Sequence, residues 1–134
     1  MCIRDSSKPN NTKVLFDTAD ELGVTTVLDT ELAEMTVREA AERAVNAVAG
    51  DKPIHLSIDL DVLPAAVAPG VSAPAGFGVE YAKLRAMVAA VAATGRVALL
   101  DVVELNPDFD VDNRTAKAAA RLIDDAVVGA KLRR

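Results

Sequence analysis

The run from Ile54 to Val62 constrains this chain more than any other segment. Its even positions are all aliphatic (Ile54, Leu56, Ile58, Leu60, Val62), while its odd positions carry His55, Ser57, Asp59 and Asp61. That period of two predicts a strand with one apolar face. Carboxylates seldom finish an apolar run uncompensated, because burying an unpaired charge costs several kcal/mol. Residues two apart on a strand share a face, with Cα atoms about 6.6 Å apart. Asp59 and Asp61 are therefore expected to reach one cation or cation cluster. Capping of a loop or a neighbouring helix is the plainer use of such a pair, and both readings stand at this point.

Elements of two periods alternate around this run. Thr12 to Leu22 carries Leu15, Ala19 and Leu22 at helical spacing and stops at Gly23, a helix with a glycine stop. Thr25 to Leu28 is a short β-branched run, read as a strand. Thr36-Val37-Arg38-Glu39 is a capping box that opens a helix to Ala49, with Val37, Ala40, Ala41, Ala44, Val45 and Val48 as its apolar stripe. Tyr81 to Thr94 reads as a helix with Leu84, Val88 and Val91 inward. Val97 to Leu105 reads as a strand interrupted only by Asp101 and Glu104, and Asn106-Pro107 ends it. Asn113 to Leu132 is a long helix with Ala116, Ala120, Ile123 and Val127 on one side.

This order predicts an α/β fold, a three-layer arrangement with helices on both faces of a parallel sheet joined by right-handed crossovers. Ligands bind such sheets beyond the carboxyl ends of the strands. Asp59, Asp61 and Glu104 all fall at that end. The loop from Pro64 to Gly78, rich in Pro, Gly, Ala and Ser, is long for a mere connection and is expected to shape a site. Glu104 has two readings, a carboxylate receiving backbone amides at a turn or one gripping a planar cation in bidentate fashion. His55 lies about 13 Å along the strand from Asp59, too far to join it, and is expected to be packed or hydrogen-bonded.

The chain has 134 residues and a net charge of −5, one domain's worth of material with no basic clusters for nucleic acid or an anionic membrane. No apolar stretch approaches the roughly 20 residues that span a bilayer. A single cysteine, Cys2, cannot form an internal disulfide. A cytoplasmic location is the expectation. Residues 1–11 match no element and read as a disordered or non-native tail, Met1 to Ser6 as an artefact of sequence assembly, and residues 12–134 as the domain.

The segments Ser57-Ile58-Asp59-Leu60-Asp61, Ala68-Pro69-Gly70-Val71-Ser72-Ala73-Pro74 and Asp101-Val102-Val103-Glu104-Leu105-Asn106-Pro107, followed by Thr115-Ala116 and Ala119-Ala120-Arg121-Leu122, resemble the ureohydrolase family of arginases, agmatinases and formimidoylglutamases. They come in that family's order and spacing, and Val62, Pro64, Ser72 and Ala73 make the wording most similar to formimidoylglutamases. Residue by residue, the resemblance implies that Asp59 and Asp61 ligate a pair of manganese ions, two per intact site. It implies that Glu104 binds the amidine-type group of a small-molecule substrate. The implied reaction is metal-assisted hydrolysis of N-formimidoyl-L-glutamate to glutamate and formamide, a step of histidine degradation, in an enzyme that is a homo-oligomer when intact.

The departure from the family is as informative. Its other metal ligands come from a His-bearing segment and an Asp-x-His-x-Asp segment, whereas the only histidine here is His55. Two aspartates cannot complete a dinuclear centre. The chain therefore reads as the carboxyl-terminal part of such an enzyme, expected by itself to bind manganese weakly and hydrolyse nothing. Three alternatives are carried: a guanidino hydrolase of the agmatinase or arginase type, a haloacid-dehalogenase-type phosphohydrolase using Asp-x-Asp as its nucleophile motif, and a non-catalytic scaffold domain.

Overall fold

The computed structural model describes residues 12–131. The expected tail, with Cys2, and the last residue of the expected terminal helix, Leu132, lie outside the described residues. The elements run α1 (Lys13–Glu21), α2 (Asp29–Glu34), α3 (Val37–Ala47), β1 (Ile54–Asp59), α4 (Tyr81–Ala93), β2 (Val97–Val103) and α5 (Arg114–Lys131), with a single 3-10 turn, Leu60–Val62, directly after β1.

β1 and β2 pair in parallel, joined through α4. Opposed residues are Leu56 and Leu100, Ser57 and Asp101, Ile58 and Val102, and Asp59 and Val103. Ile54 and Ile58 point into a core with Leu84, Met87, Val88 and Val91 of α4, Ala40 and Ala44 of α3, and Leu122 and Ala126 of α5. The α/β class is thus the expected one, and small side chains let α3 and α5 pack closely against α4. The face bearing His55, Leu99 and Val103 is exposed among the described residues, Leu99 by 55%.

The capping box forms as its sequence dictates: Thr36 Oγ1 accepts from the Glu39 amide, and Glu39 Oε2 accepts from the Thr36 amide at 2.8 Å. Buried Lys83 donates to the carbonyls of Leu32 and Ala33 at 2.9 and 3.0 Å. It thereby adds a donor at the carbonyl end of α2, where the Leu32 carbonyl also accepts from the Met35 amide at 3.2 Å.

Several expectations are corrected. Thr25 to Leu28 forms no strand and pairs with none among the described residues, although Leu28 itself is extended. Instead the Leu28 amide donates to Glu31 Oε2 at 2.7 Å and opens α2, a short helix that the sequence reading missed. β-branching favours extension, but a strand exists only where a partner takes its backbone groups. The two later strands are also shorter than read, ending at Asp59 and Val103.

On α5 the inward face is Thr115, Ala118, Ala119, Leu122, Ala126 and Gly129. The expected stripe is the outer one, with Ile123 and Val127 more than two-fifths exposed. Both stripes are apolar at helical spacing, and backbone contact decides between them. Gly129 lies so close to α4 that a Cβ there would stand 2.6 Å from the Ala89 carbonyl oxygen. Val37, assigned inward on α3, is likewise exposed.

Candidate active site

The carboxyl ends of β1 and β2 lie side by side, since Asp59 opposes Val103. Asp59 is the last residue of β1, and Glu104 follows Val103 directly, so both carboxylates stand at one edge of the sheet. Asp61 reaches that edge differently from the expectation. It lies in the 3-10 turn rather than on the strand, and its amide donates to Asp59 Oδ1 at 2.9 Å. The Leu63 amide closes the turn on the Leu60 carbonyl. The Asp59 carboxylate thus caps the turn that carries Asp61, so the capping reading and the ligand reading share one group. An ionised carboxylate has about four acceptor sites, and one amide does not exhaust them.

The Pro64 to Gly78 loop stands over this edge as an ordered structure. The Val79 amide donates to the Val62 carbonyl at 2.7 Å and the Ala65 amide to Ala75 at 3.2 Å, which closes the loop at its base. Gly78 holds φ at +73°, and a Cβ there would meet the Pro64 nitrogen at 2.6 Å. The middle of the loop is tied to the segment after Glu104. The Asn106 amide donates to the Gly70 carbonyl at 2.8 Å, and the Gly70 amide donates to the buried Thr115 hydroxyl at 2.7 Å.

Asp110 anchors the same corner. Its Oδ1 accepts from the Thr115 and Val111 amides at 2.9 Å each, and its Oδ2 accepts from Ala116 at 3.0 Å. Burial pushes the Asp110 carboxyl up, but the Thr115 and Ala116 amides outweigh it and hold the group below its ordinary value. Sequence reading missed Asp110 and Thr115. The signal available was Thr115-Ala116 recurring with the Gly70 and Asn106 segments, whose meaning is spatial.

His55 sits at the other end of β1, as expected, but it is exposed rather than packed. Its Nε2 stands 2.6 Å from Asp101 Oδ2 across the strand pair. The Ser57 hydroxyl and the His55 imidazole hold the Asp101 carboxyl below its ordinary value. An ionised carboxylate only accepts, so His55 Nε2 carries the proton. This cluster braces the sheet and is separate from Asp59.

Two carboxylates are the right donor chemistry for a hard divalent cation. Their number is insufficient: among the described residues no group of three or more His, Cys, Asp or Glu side chains could hold a metal ion. No helix among the described residues is long and apolar enough to cross a membrane.

A family model described as Arginase family matches residues 1–129. Formimidoylglutamase of Corynebacterium efficiens is 48% identical over 119 residues, 89% of this chain and 38% of that protein. Formimidoylglutamase of Nocardia farcinica is 50% identical over 117 residues, 87% of this chain and 37% of that protein. Among solved structures, Trypanosoma cruzi formiminoglutamase with Mn2+ superposes with a TM-score of 0.81 at 24% identity, over 92% of this chain and 42% of that one. Proclavaminate amidino hydrolase from Streptomyces clavuligerus superposes with a TM-score of 0.80 at 26% identity, over 89% and 39%. The chain spans little more than a third of the length of the curated relatives it matches.

Proposed function

The chain belongs to the arginase family, and from that premise we propose that it carries two metal-ligating aspartates and the substrate-gripping glutamate of a formimidoylglutamase. Family membership removes the haloacid-dehalogenase alternative. The observation that carries the proposal is the shared edge of Asp59, Asp61 and Glu104, in a chain 48–50% identical to two formimidoylglutamases over most of its length. The preferred substrate is N-formimidoyl-L-glutamate, whose cleavage to glutamate and formamide belongs to histidine degradation. Guanidino substrates are the second reading, favoured by the likeness to an amidino hydrolase.

In this reading Asp59 and Asp61 supply hard oxygen donors, and the remaining ligands are not among the described residues. When bound, a pair of divalent cations, manganese by preference, supplies the activation of water. Glu104 offers a carboxylate to the planar amidinium, a charge-assisted pairing roughly twice as strong as a neutral one. Because Val103 opposes Asp59, Glu104 would hold that group at the same end of the strands as the two aspartates. The ordered Pro64 to Gly78 loop excludes water and contacts the glutamate end of the substrate.

The test grafts residues 12–131 into the matching segment of the Corynebacterium efficiens enzyme. Manganese-dependent formamide release from N-formimidoyl-L-glutamate is the expected result, lost in Asp59→Ala and Asp61→Ala. Glu104→Gln is expected to raise KM while leaving manganese bound. A folded graft that cleaves agmatine or arginine instead overturns the substrate assignment, and one inactive on all three favours the scaffold alternative. The 134-residue chain alone is expected to release no formamide.

A further inference from the structure

Glu104 carries φ of +72°, a strained left-handed backbone that a long side chain rarely adopts. Such a conformation persists only where its surroundings impose it. On one side Val103 is fixed by pairing with β1 opposite Asp59. On the other side the Asn106 amide is held by the Gly70 carbonyl at 2.8 Å. Gly70 is itself immobilised, because its amide is bound to the buried Thr115 hydroxyl at 2.7 Å. The approach is so close that a Cβ at Gly70 would stand 2.6 Å from Asp110 Cβ. Asp110 in turn bonds the amides of Thr115 and Ala116. The Gly70 segment is thus joined to two neighbouring segments more than thirty residues further along, Val103 to Asn106 and Asp110 to Ala116.

We propose that Gly70, Thr115 and Asp110 form a latch that holds Glu104 in its left-handed conformation, with Thr115 and Asp110 as positioning residues for the substrate-gripping carboxylate. The catalytic meaning of the latch rests on the function proposed above; its mechanical part does not. Each member has a physical requirement. Gly70 admits no side chain, Thr115 supplies the hydroxyl that accepts from the Gly70 amide, and Asp110 fixes the first turn of α5 that carries Thr115. The latch links the loop over the site to the residue that meets the substrate, so loop placement and Glu104 placement move together.

The test is a double-mutant cycle on the 134-residue chain, read by urea unfolding and by the short intraresidue HN–Hα contact that marks positive φ in NMR spectra. Glu104→Gly removes the strain, partly offset by the greater freedom of unfolded glycine, and is expected to raise the folding constant roughly fivefold. That gain is expected to survive in the Thr115→Ser background, which keeps the hydroxyl, and to vanish in Thr115→Val, where residue 104 relaxes and its short HN–Hα contact is lost. An undiminished gain in Thr115→Val, or a retained short contact, overturns the latch. Where Thr115→Val does not fold, Asp110→Asn is read by the same contact, with loss supporting the latch and retention overturning it. Neither readout needs metal or substrate, so failure here is distinct from failure of the hydrolase assignment.

Discussion

Replacing Gly78 with alanine tests the idea that the loop over the site is rigid because its base is locked. Two costs add. Holding a Cβ residue at φ +73° costs about 1–2 kcal/mol. The new Cβ would also stand 2.6 Å from the Pro64 nitrogen and 2.9 Å from both the Leu63 carbonyl carbon and the Val62 carbonyl oxygen. These are backbone atoms that cannot swing aside, and overpacking of this kind costs typically about 1–3 kcal/mol. The sum is about 2–5 kcal/mol, a large share of the 5–15 kcal/mol typical of a whole domain. Gly76 is the matched control, since a Cβ there meets nothing within 4 Å. Equilibrium urea unfolding separates the two: with a slope of about 1.5 kcal/mol/M, a loss of about 3 kcal/mol lowers the midpoint by about 2 M. Gly76→Ala is expected to leave the midpoint within about 0.5 M of the parent. Equal midpoints for the two variants would refute the locked base.

The half-buried carboxylate at the α4–α5 contact makes stability depend on acid. Asp125 accepts from Arg85 at 2.6 and 2.9 Å and from Arg121 at 3.2 Å, and Arg85 first, then Arg121, holds its carboxyl below its ordinary value. A depressed folded pKa contributes stability that is present above the unfolded value near 3.8 and is lost as pH falls through the folded value. Asp125→Asn is therefore expected to flatten the loss of stability that sets in as pH falls below the unfolded value near 3.8, as measured by thermal unfolding on either side of that pH. The open sheet face predicts self-association: Leu99 and Val103 are 55% and 37% exposed on it, and each strand keeps an unpaired edge among the described residues. Leu99→Lys is expected to shift the sedimentation profile of the 134-residue chain toward monomer, and an unchanged profile would place the contact elsewhere.

How much was legible follows from which forces are local. The period of two in Ile54 to Val62, the Thr36–Glu39 capping box and the apolar spacing of α4 each express backbone geometry; both helices form where their residues said they would, and the strand starts at Ile54 but ends at Asp59. The α/β class followed from the alternation of helical and strand periods along the chain, and the family from short motifs in a fixed order and spacing. Tertiary structure alone decided the rest. Thr25 to Leu28 lacked a strand partner, so the extended Leu28 served to open α2. α5 offers two apolar stripes, and only the close approach of Gly129 to α4 selects the inner one. Asp61 left the strand because the Asp59 carboxylate captured its amide. The latch around Gly70 joins residues more than thirty positions apart, and nothing in local propensity encodes a contact whose energy exists only once the chain has folded.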